Sequence, residues 1–75
     1  MERRTIFSSS IRSIGFDRDA QVLELEFYSG GIYQYREVPE SVYDEFMLAP
    51  SKGKFYQHRI KEKFDYSRVG WVECE

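Results

Sequence analysis

The clearest pattern along the chain lies between Val22 and Tyr28, where Leu23, Leu25 and Phe27 alternate with Glu24 and Glu26. A period of two puts the apolar residues on one face and the carboxylates on the other, which predicts a half-buried antiparallel strand. Ser29-Gly30-Gly31 then supplies the residues tolerant of positive φ that a tight hairpin needs, and Ile32 to Val38 forms the return strand. Upstream, Ile11, Ile14 and Phe16 do not alternate cleanly. Their β-branched and aromatic character, followed by Asp17-Arg18-Asp19, still predicts a strand ending in a turn. A bulge near Ser13 or Gly15 reconciles the spacing. These strands make a three-stranded meander, with the Ser-rich stretch Thr5 to Ser10 leading into it.

Beyond the meander the period changes. Pro39 suits the first position of a helix, where its missing N–H costs nothing, and Glu40, Asp44 and Glu45 place negative charge near the positive end of the helix dipole. Val42, Tyr43, Phe46 and Met47 repeat at helical spacing until Pro50. Ser51 is a good N-cap for a second helix running to about Lys63. On that helix Gly53, Ile60 and Phe64 share one side, while Phe55 falls off the stripe and is expected to anchor the helix start in the core. Asp65 to Glu75 alternates loosely through Tyr66, Val69, Trp71 and Val72. It reads as an edge strand, an extended strap or a frayed tail. The expected core is Ile11, Ile14, Phe16, Leu23, Leu25, Phe27, Val42, Phe46 and Ile60.

Composition narrows the class. A chain of 75 residues is enough for one domain, and 41% hydrophobic content, with six Phe and six Tyr, gives so short a chain the buried area it needs to fold alone. The charged fraction of 32% with a net charge of -2 describes an ordinary folded surface. Cys74 is the single cysteine, so neither an intramolecular disulfide nor a Cys-based metal site can form, and a reducing, cytoplasmic location is expected. No stretch has the apolar length of a signal peptide core or a membrane span.

Charge is distributed unevenly. Phe16 to Leu48 holds eight acidic and two basic residues, whereas Pro50 to Phe64 holds Lys52, Lys54, Arg59, Lys61 and Lys63 against Glu62. On a continuous helix Lys52, Tyr56, Arg59 and Lys63 fall within roughly a 60° sector. A row of cations around an aromatic ring can hold phosphates and stack a base. The plainer reading is a solvated face, with the acidic first helix pairing with the basic second. Tyr33 and Tyr35 share one face of their strand, with Gln34 and Arg36 on the other. That tyrosine face is either core, with hydroxyls at its edge, or an exposed surface able to stack unpaired bases. The core reading is favoured. His58 is the lone histidine and has no cysteine partner near in sequence, so a metal site is not expected. No acid–base motif, nucleophile elbow or phosphate loop is present, and neither catalysis nor a cofactor is expected.

Several elements occur together in a specific order: Ser9-Ser10-Ile11, Ile14-Gly15-Phe16-Asp17, Leu23-Glu24-Leu25-Glu26-Phe27, Gly31-x-Tyr33-x-Tyr35, Val38-Pro39, and Ala49-Pro50-Ser51-Lys52-Gly53-Lys54-Phe55-Tyr56. In that order they closely resemble the KTSC domain, a short module named for its place at the C-terminus of some lysyl-tRNA synthetases and also found as a stand-alone bacterial protein. The resemblance covers about Ser8 to Phe64, and its hallmark Tyr-x-Tyr is matched by Tyr33 and Tyr35. Phe16 stands where the family often has tyrosine. Attachment to a tRNA-handling enzyme implies an RNA-binding role.

The resulting expectation is a single α+β domain over residues 8–64, a three-stranded antiparallel meander packed on two helices, with residues 1–7 as a leader and 65–75 as a tail or edge strand. Its expected role is a non-catalytic accessory domain for RNA, tRNA-related. Lys52, Lys54, Arg59 and Lys63 would contact phosphates while Tyr33, Tyr35 or Tyr56 stacks on a base. The alternative is a protein-interaction module docking on a partner enzyme through its uneven charge or an exposed sheet edge. No membrane partner is expected. A pI near 5.4 limits any affinity for nucleic acid.

Overall fold

The computed structural model of the chain describes residues 3–71. Its antiparallel sheet has five strands in sequence order: β1 (Arg3–Thr5), β2 (Ile11–Asp17), β3 (Val22–Phe27), β4 (Gly31–Tyr35) and β5 (Tyr66–Trp71). The helices α1 (Glu40–Leu48) and α2 (Lys52–Phe55) lie between β4 and β5, and α2 runs on into a π-helical turn over Tyr56–Ile60. The α+β class and the central meander match the expectation. The strand count does not: β1 lies in the stretch read as a leader, and β5 settles the stretch left open between edge strand, strap and tail as an edge strand.

Local chemistry explains the meander. Asp17 Oδ1 accepts from the N–H groups of Asp19 and Ala20, both at 3.1 Å, and Gln21 takes the left-handed conformation (φ 55°) that turns β2 into β3. In the next turn Gly30 has φ 110° and donates to the Phe27 carbonyl at 2.9 Å. Gly31 has a different reason: a Cβ there would lie 2.7 Å from Cε1 of Tyr33, whose ring crosses the strand. The bulge expected near Ser13 or Gly15 falls at the first of these, between Ile11 and Ser13 in the β2–β3 register. Between β1 and β2, Ser8 Oγ accepts from the N–H groups of Ser10 and Ile11 at 3.3 Å each, so the serine run forms the connecting loop.

One face of the sheet carries the core. Register places Ile14, Leu25 and Tyr33 in one row and Phe16, Leu23, Tyr35 and Tyr66 in the next, all toward the helices. Ile11, Ile14, Leu23, Leu25, Phe46 and Ile60 are buried as expected, joined by Tyr35 and Val38. Phe16, Phe27 and Val42 are half-buried against this cluster rather than within it. Phe46 of α1 stacks on Phe55 of α2, centroids 5.1 Å apart, and this anchors the second helix as its off-stripe position suggested. Phe16 stacks on Tyr43 at 4.7 Å.

The opposite face is polar and internally paired. Glu24, buried despite its charge, accepts from Arg3 at 2.6 Å and from Gln34 at 2.9 Å, while Glu26 accepts from Ser13 Oγ at 2.8 Å. Arg3 thus ties β1 to β3 across β2. The two carboxylates that marked the strand by alternation are neutralised by neighbouring strands.

Two helix expectations need correction. Pro39 is the N-cap of α1, one residue before the first helical position, and its carbonyl accepts from Val42 at 3.0 Å and Tyr43 at 3.3 Å. The second helix does not reach Lys63. Ser51 caps α2 as expected, its Oγ accepting from the Lys54 N–H at 3.3 Å. The last helical bond is the wide one from Lys61 N–H to the Tyr56 carbonyl, 2.8 Å, after which Lys61 is extended (φ -59°, ψ 127°) and the chain leaves the helix. No helix of the described residues is long and apolar enough to cross a membrane.

Candidate functional site

Where the open end of the π turn meets β4 and β5, the rings of Phe27, Tyr33, Tyr35, Tyr56 and Tyr66 wall a cavity of about 340 Å³. Sheet register sets most of this wall: Tyr33 and Tyr35 project together from β4, and Tyr66 on β5 lies opposite Tyr35. Phe27 and Tyr33 meet edge to face at 5.7 Å, as do Phe27 and Tyr56 at 5.2 Å. Tyr66 completes the wall, 5.8 Å from Tyr33 and 5.4 Å from Tyr35. Lys61 and Glu62 border the opening.

The two hallmark tyrosines have different surroundings. Tyr35 is buried (2% exposed), and its hydroxyl lies 2.7 Å from the Tyr56 hydroxyl. Tyr33 is half-buried and presents one side of its ring to the cavity. The sequence left open whether these rings are core or surface; Tyr35 is core, and Tyr33 belongs to both. Tyr28 sits in the turn and is exposed.

Burial first, and then the bond to Tyr56, push the Tyr35 hydroxyl above the usual tyrosine range. Burial also raises Tyr56, opposed by its hydrogen bond with Tyr35. Both hydroxyls therefore stay protonated at neutral pH. The two hydroxyls share one hydrogen bond that either of them can donate, and both residues line the cavity.

Glu62 has φ 65°. With Lys61 before it and the Lys63 N–H donating to the Ile60 carbonyl at 3.0 Å, it occupies the third position of a type II turn, where glycine is the unstrained choice. Its carboxylate has no hydrogen bond or ion pair with the described residues, and neither does the Lys61 ammonium. A strained backbone thus sets an unpaired carboxylate beside an unpaired ammonium at the mouth of an aromatic cavity.

The predicted cation row is not assembled. Lys52 Nζ donates to the carbonyls of Ala49 (2.6 Å) and Met47 (3.1 Å), closing the end of α1. Arg59 pairs with Glu45 at 2.7 Å and lies over the Phe55 ring at 5.2 Å, the helix-to-helix pairing that the plainer reading anticipated. Tyr56 points inward, Lys54 is exposed beside the start of α2, and Lys63 is exposed past the end of the helix. Of the residues singled out in the sequence, Tyr33, Tyr35 and Tyr56 come together, while Lys52, Lys54, Arg59 and Lys63 stand apart from them. Tyr66, Phe27, Lys61 and Glu62 were missed as a group. Tyr66 could have been found by pairing the last strand with β4; nothing in the sequence signals the backbone of Glu62.

A larger, shallower depression of about 630 Å³ lies at the β2 edge. Two arginines there are already committed, Arg3 to Glu24 and Arg18 to Glu40, which makes it a poorer receptor. Among the described residues no group of His, Cys, Asp and Glu is placed to hold a metal ion.

Comparison with known proteins places this architecture. The model of the KTSC domain matches residues 7–64. The crystal structure of a KTSC domain protein from Yersinia pestis superposes with a TM-score of 0.90 at 45% identity, covering 92% of this chain and 97% of that one. An uncharacterized protein of Stutzerimonas stutzeri is 39% identical over 70 residues, 92% of this chain and 99% of its own length. A lysine–tRNA ligase of Nostoc sp. is 41% identical over 61 residues, 81% of this chain; the match spans 11% of the ligase. The chain belongs to the KTSC domain family.

Proposed function

We propose that this domain is a non-catalytic accessory module that binds single-stranded RNA, with a base entering the tyrosine-walled cavity. The observation that carries the reading is the cavity itself. Half-exposed rings at Tyr33 and Tyr66 offer stacking surfaces, the Tyr56 hydroxyl offers a donor, and Lys61 at the opening offers a charge for the adjoining phosphate. Lys54 and Lys63, whose ammonium groups have no partner among the described residues, supply further phosphate contacts outside the cavity. Lys52 and Arg59 serve the helices. The sequence match to part of a lysine–tRNA ligase supports an RNA partner. A net charge of -2 sets the affinity low and makes it salt-sensitive.

The test is an NMR titration of the isotope-labelled domain with short single-stranded RNA at low salt. Shifts centred on Tyr33, Tyr66, Lys61 and Glu62, weakening as salt rises, are expected. No shifts at millimolar RNA would remove the reading.

A second reading has its own observation. β5 is a terminal strand of the sheet, and Tyr66 and Val69 on it are 54% and 50% exposed. Such an edge can add a strand from a partner protein. It predicts indifference to RNA and a response confined to β5 when the partner is added.

A further inference from the structure

We infer that the domain carries a second site, separate from the tyrosine cavity: a shallow apolar depression on the exposed side of α2 that takes a segment of a partner protein in which apolar side chains stand between acidic ones. The depression, of about 300 Å³, reaches from Ala49, Pro50 and Ser51 at the break between the helices to Phe55, and is bordered by Lys54, His58 and Arg59. None of these residues lines the tyrosine cavity, since Tyr56 turns inward while its neighbours on the helix turn out.

The break between the helices makes the surface apolar. Pro50 is exposed there, and Ala49 and Phe55 are half-buried. Leu48, the last residue of α1 and next to Ala49 in the chain, is 85% exposed. The floor is rigid. The Phe55 ring stacks on Phe46 at 5.1 Å and carries the Arg59 guanidinium over it at 5.2 Å, and Arg59 is itself held by Glu45 at 2.7 Å. A surface fixed in this way before a ligand arrives gives up little freedom on binding.

The chemistry of the depression selects its occupant. With Phe46 against the Phe55 ring and Arg59 over it, no open ring face is left on which a nucleobase could stack, whereas an aliphatic or aromatic side chain needs only apolar area to cover. Three basic side chains and no acidic one border the depression. Lys54 and His58 have no side-chain hydrogen bond or ion pair with the described residues, so both are open to carboxylates on either side of the apolar anchor. The same border repels a basic segment. Lys54, an outlying phosphate contact in the RNA reading, is the one residue that the two ligands would share.

The intact labelled chain is titrated by NMR with the blocked peptide Asp-Glu-Leu-Phe-Asp-Glu and with two controls, Asp-Glu-Ala-Ala-Asp-Glu and Lys-Arg-Leu-Phe-Lys-Arg. The first should shift Ala49, Phe55 and His58, and each control should bind about tenfold more weakly or worse, one having lost the apolar anchor and the other the charge match. Lys54→Glu combined with His58→Glu changes two exposed residues outside the core. It should leave the amide spectrum folded and weaken the acidic peptide about tenfold. Equal binding of the acidic and alanine peptides overturns the apolar anchor, and equal binding of the acidic and basic peptides overturns the charge match. No shifts from any peptide at millimolar concentration removes the site. Shifts at Phe55 and His58 from a five-nucleotide oligouridine, with none from the peptides, would assign the depression to nucleic acid instead. The RNA reading stands or falls separately, on the response of Tyr33 and Tyr66.

Discussion

Glu62→Gly separates folding from recognition in one substitution. A non-glycine residue in the left-handed region costs about 1–2 kcal/mol, and at φ 65° Glu62 carries that cost in the folded state. Glycine removes it but gives the unfolded chain more freedom, which costs ~0.4–1 kcal/mol. No contact offsets the balance, because the carboxylate has no partner among the described residues and the residue is exposed. The net is a gain of about 0.5–1 kcal/mol, or an increase in Tm of roughly 2–8 °C for a domain of this size. Thermal melts followed by circular dichroism measure it. Glu37 at φ 58° is the control: Glu37→Gly should stabilise by a similar amount. The two should part on RNA, with Glu62→Gly changing the response of the cavity residues to single-stranded RNA and Glu37→Gly leaving it unchanged. If Glu62→Gly is neutral or destabilising while Glu37→Gly stabilises, the strain assigned to Glu62 is wrong.

Three other substitutions test the packing and the site. Tyr35→Phe removes the hydroxyl bond to Tyr56 and should cost about 1 kcal/mol in urea unfolding at neutral pH. In the wild-type chain Tyr35 holds its proton when folded beyond the pH, near 10, where the unfolded tyrosine releases it. Its contribution is therefore intact below that pH and declines above it, by up to ~1.4 kcal/mol per pH unit, and Tyr35→Phe should flatten the decline measured between pH 9 and 11.5; an unchanged slope would contradict the assignment. Phe46→Ala empties the centre of the core and should cost about 3–5 kcal/mol, most of the stability of so small a domain; a loss below about 1 kcal/mol would show that the core is elsewhere. Lys52→Met should destabilise by roughly 1–2 kcal/mol through the lost bonds to Met47 and Ala49, whereas Lys54→Met should stay within about 0.5 kcal/mol. Equal effects would mean that Lys52 does not close α1.

The meander was readable because its signals are local: strict alternation in β3, an aspartate turn before it and two glycines after it. β1 was not, since three residues including Arg3 and Arg4 carry no apolar pattern and are held by Arg3 reaching Glu24. β5 was blurred by a register shift opposite Ile32 and Tyr33, which breaks the period through Val69. Helical spacing put Lys52, Tyr56 and Arg59 near one another in angle on a continuous helix, yet the angle could not show that Lys52 folds back on carbonyls or that Arg59 is taken by Glu45. The π turn and the left-handed Glu62 end the helix before Lys63 and build the mouth of the cavity. Both are tertiary outcomes, since no glycine or proline marks either position. The tyrosine pair was the strongest motif in the sequence, but besides Phe27 its partner rings come from β5 and the π turn, more than twenty residues away.

The most direct test of the central claim is an intermolecular NOE experiment on the labelled domain bound to a short single-stranded RNA. A base in the cavity requires cross-peaks from its protons to the ring protons of Tyr33 and Tyr66, and from the adjoining ribose to Lys61. Cross-peaks confined to Lys54 and Lys63, with none to the tyrosines, would contradict it.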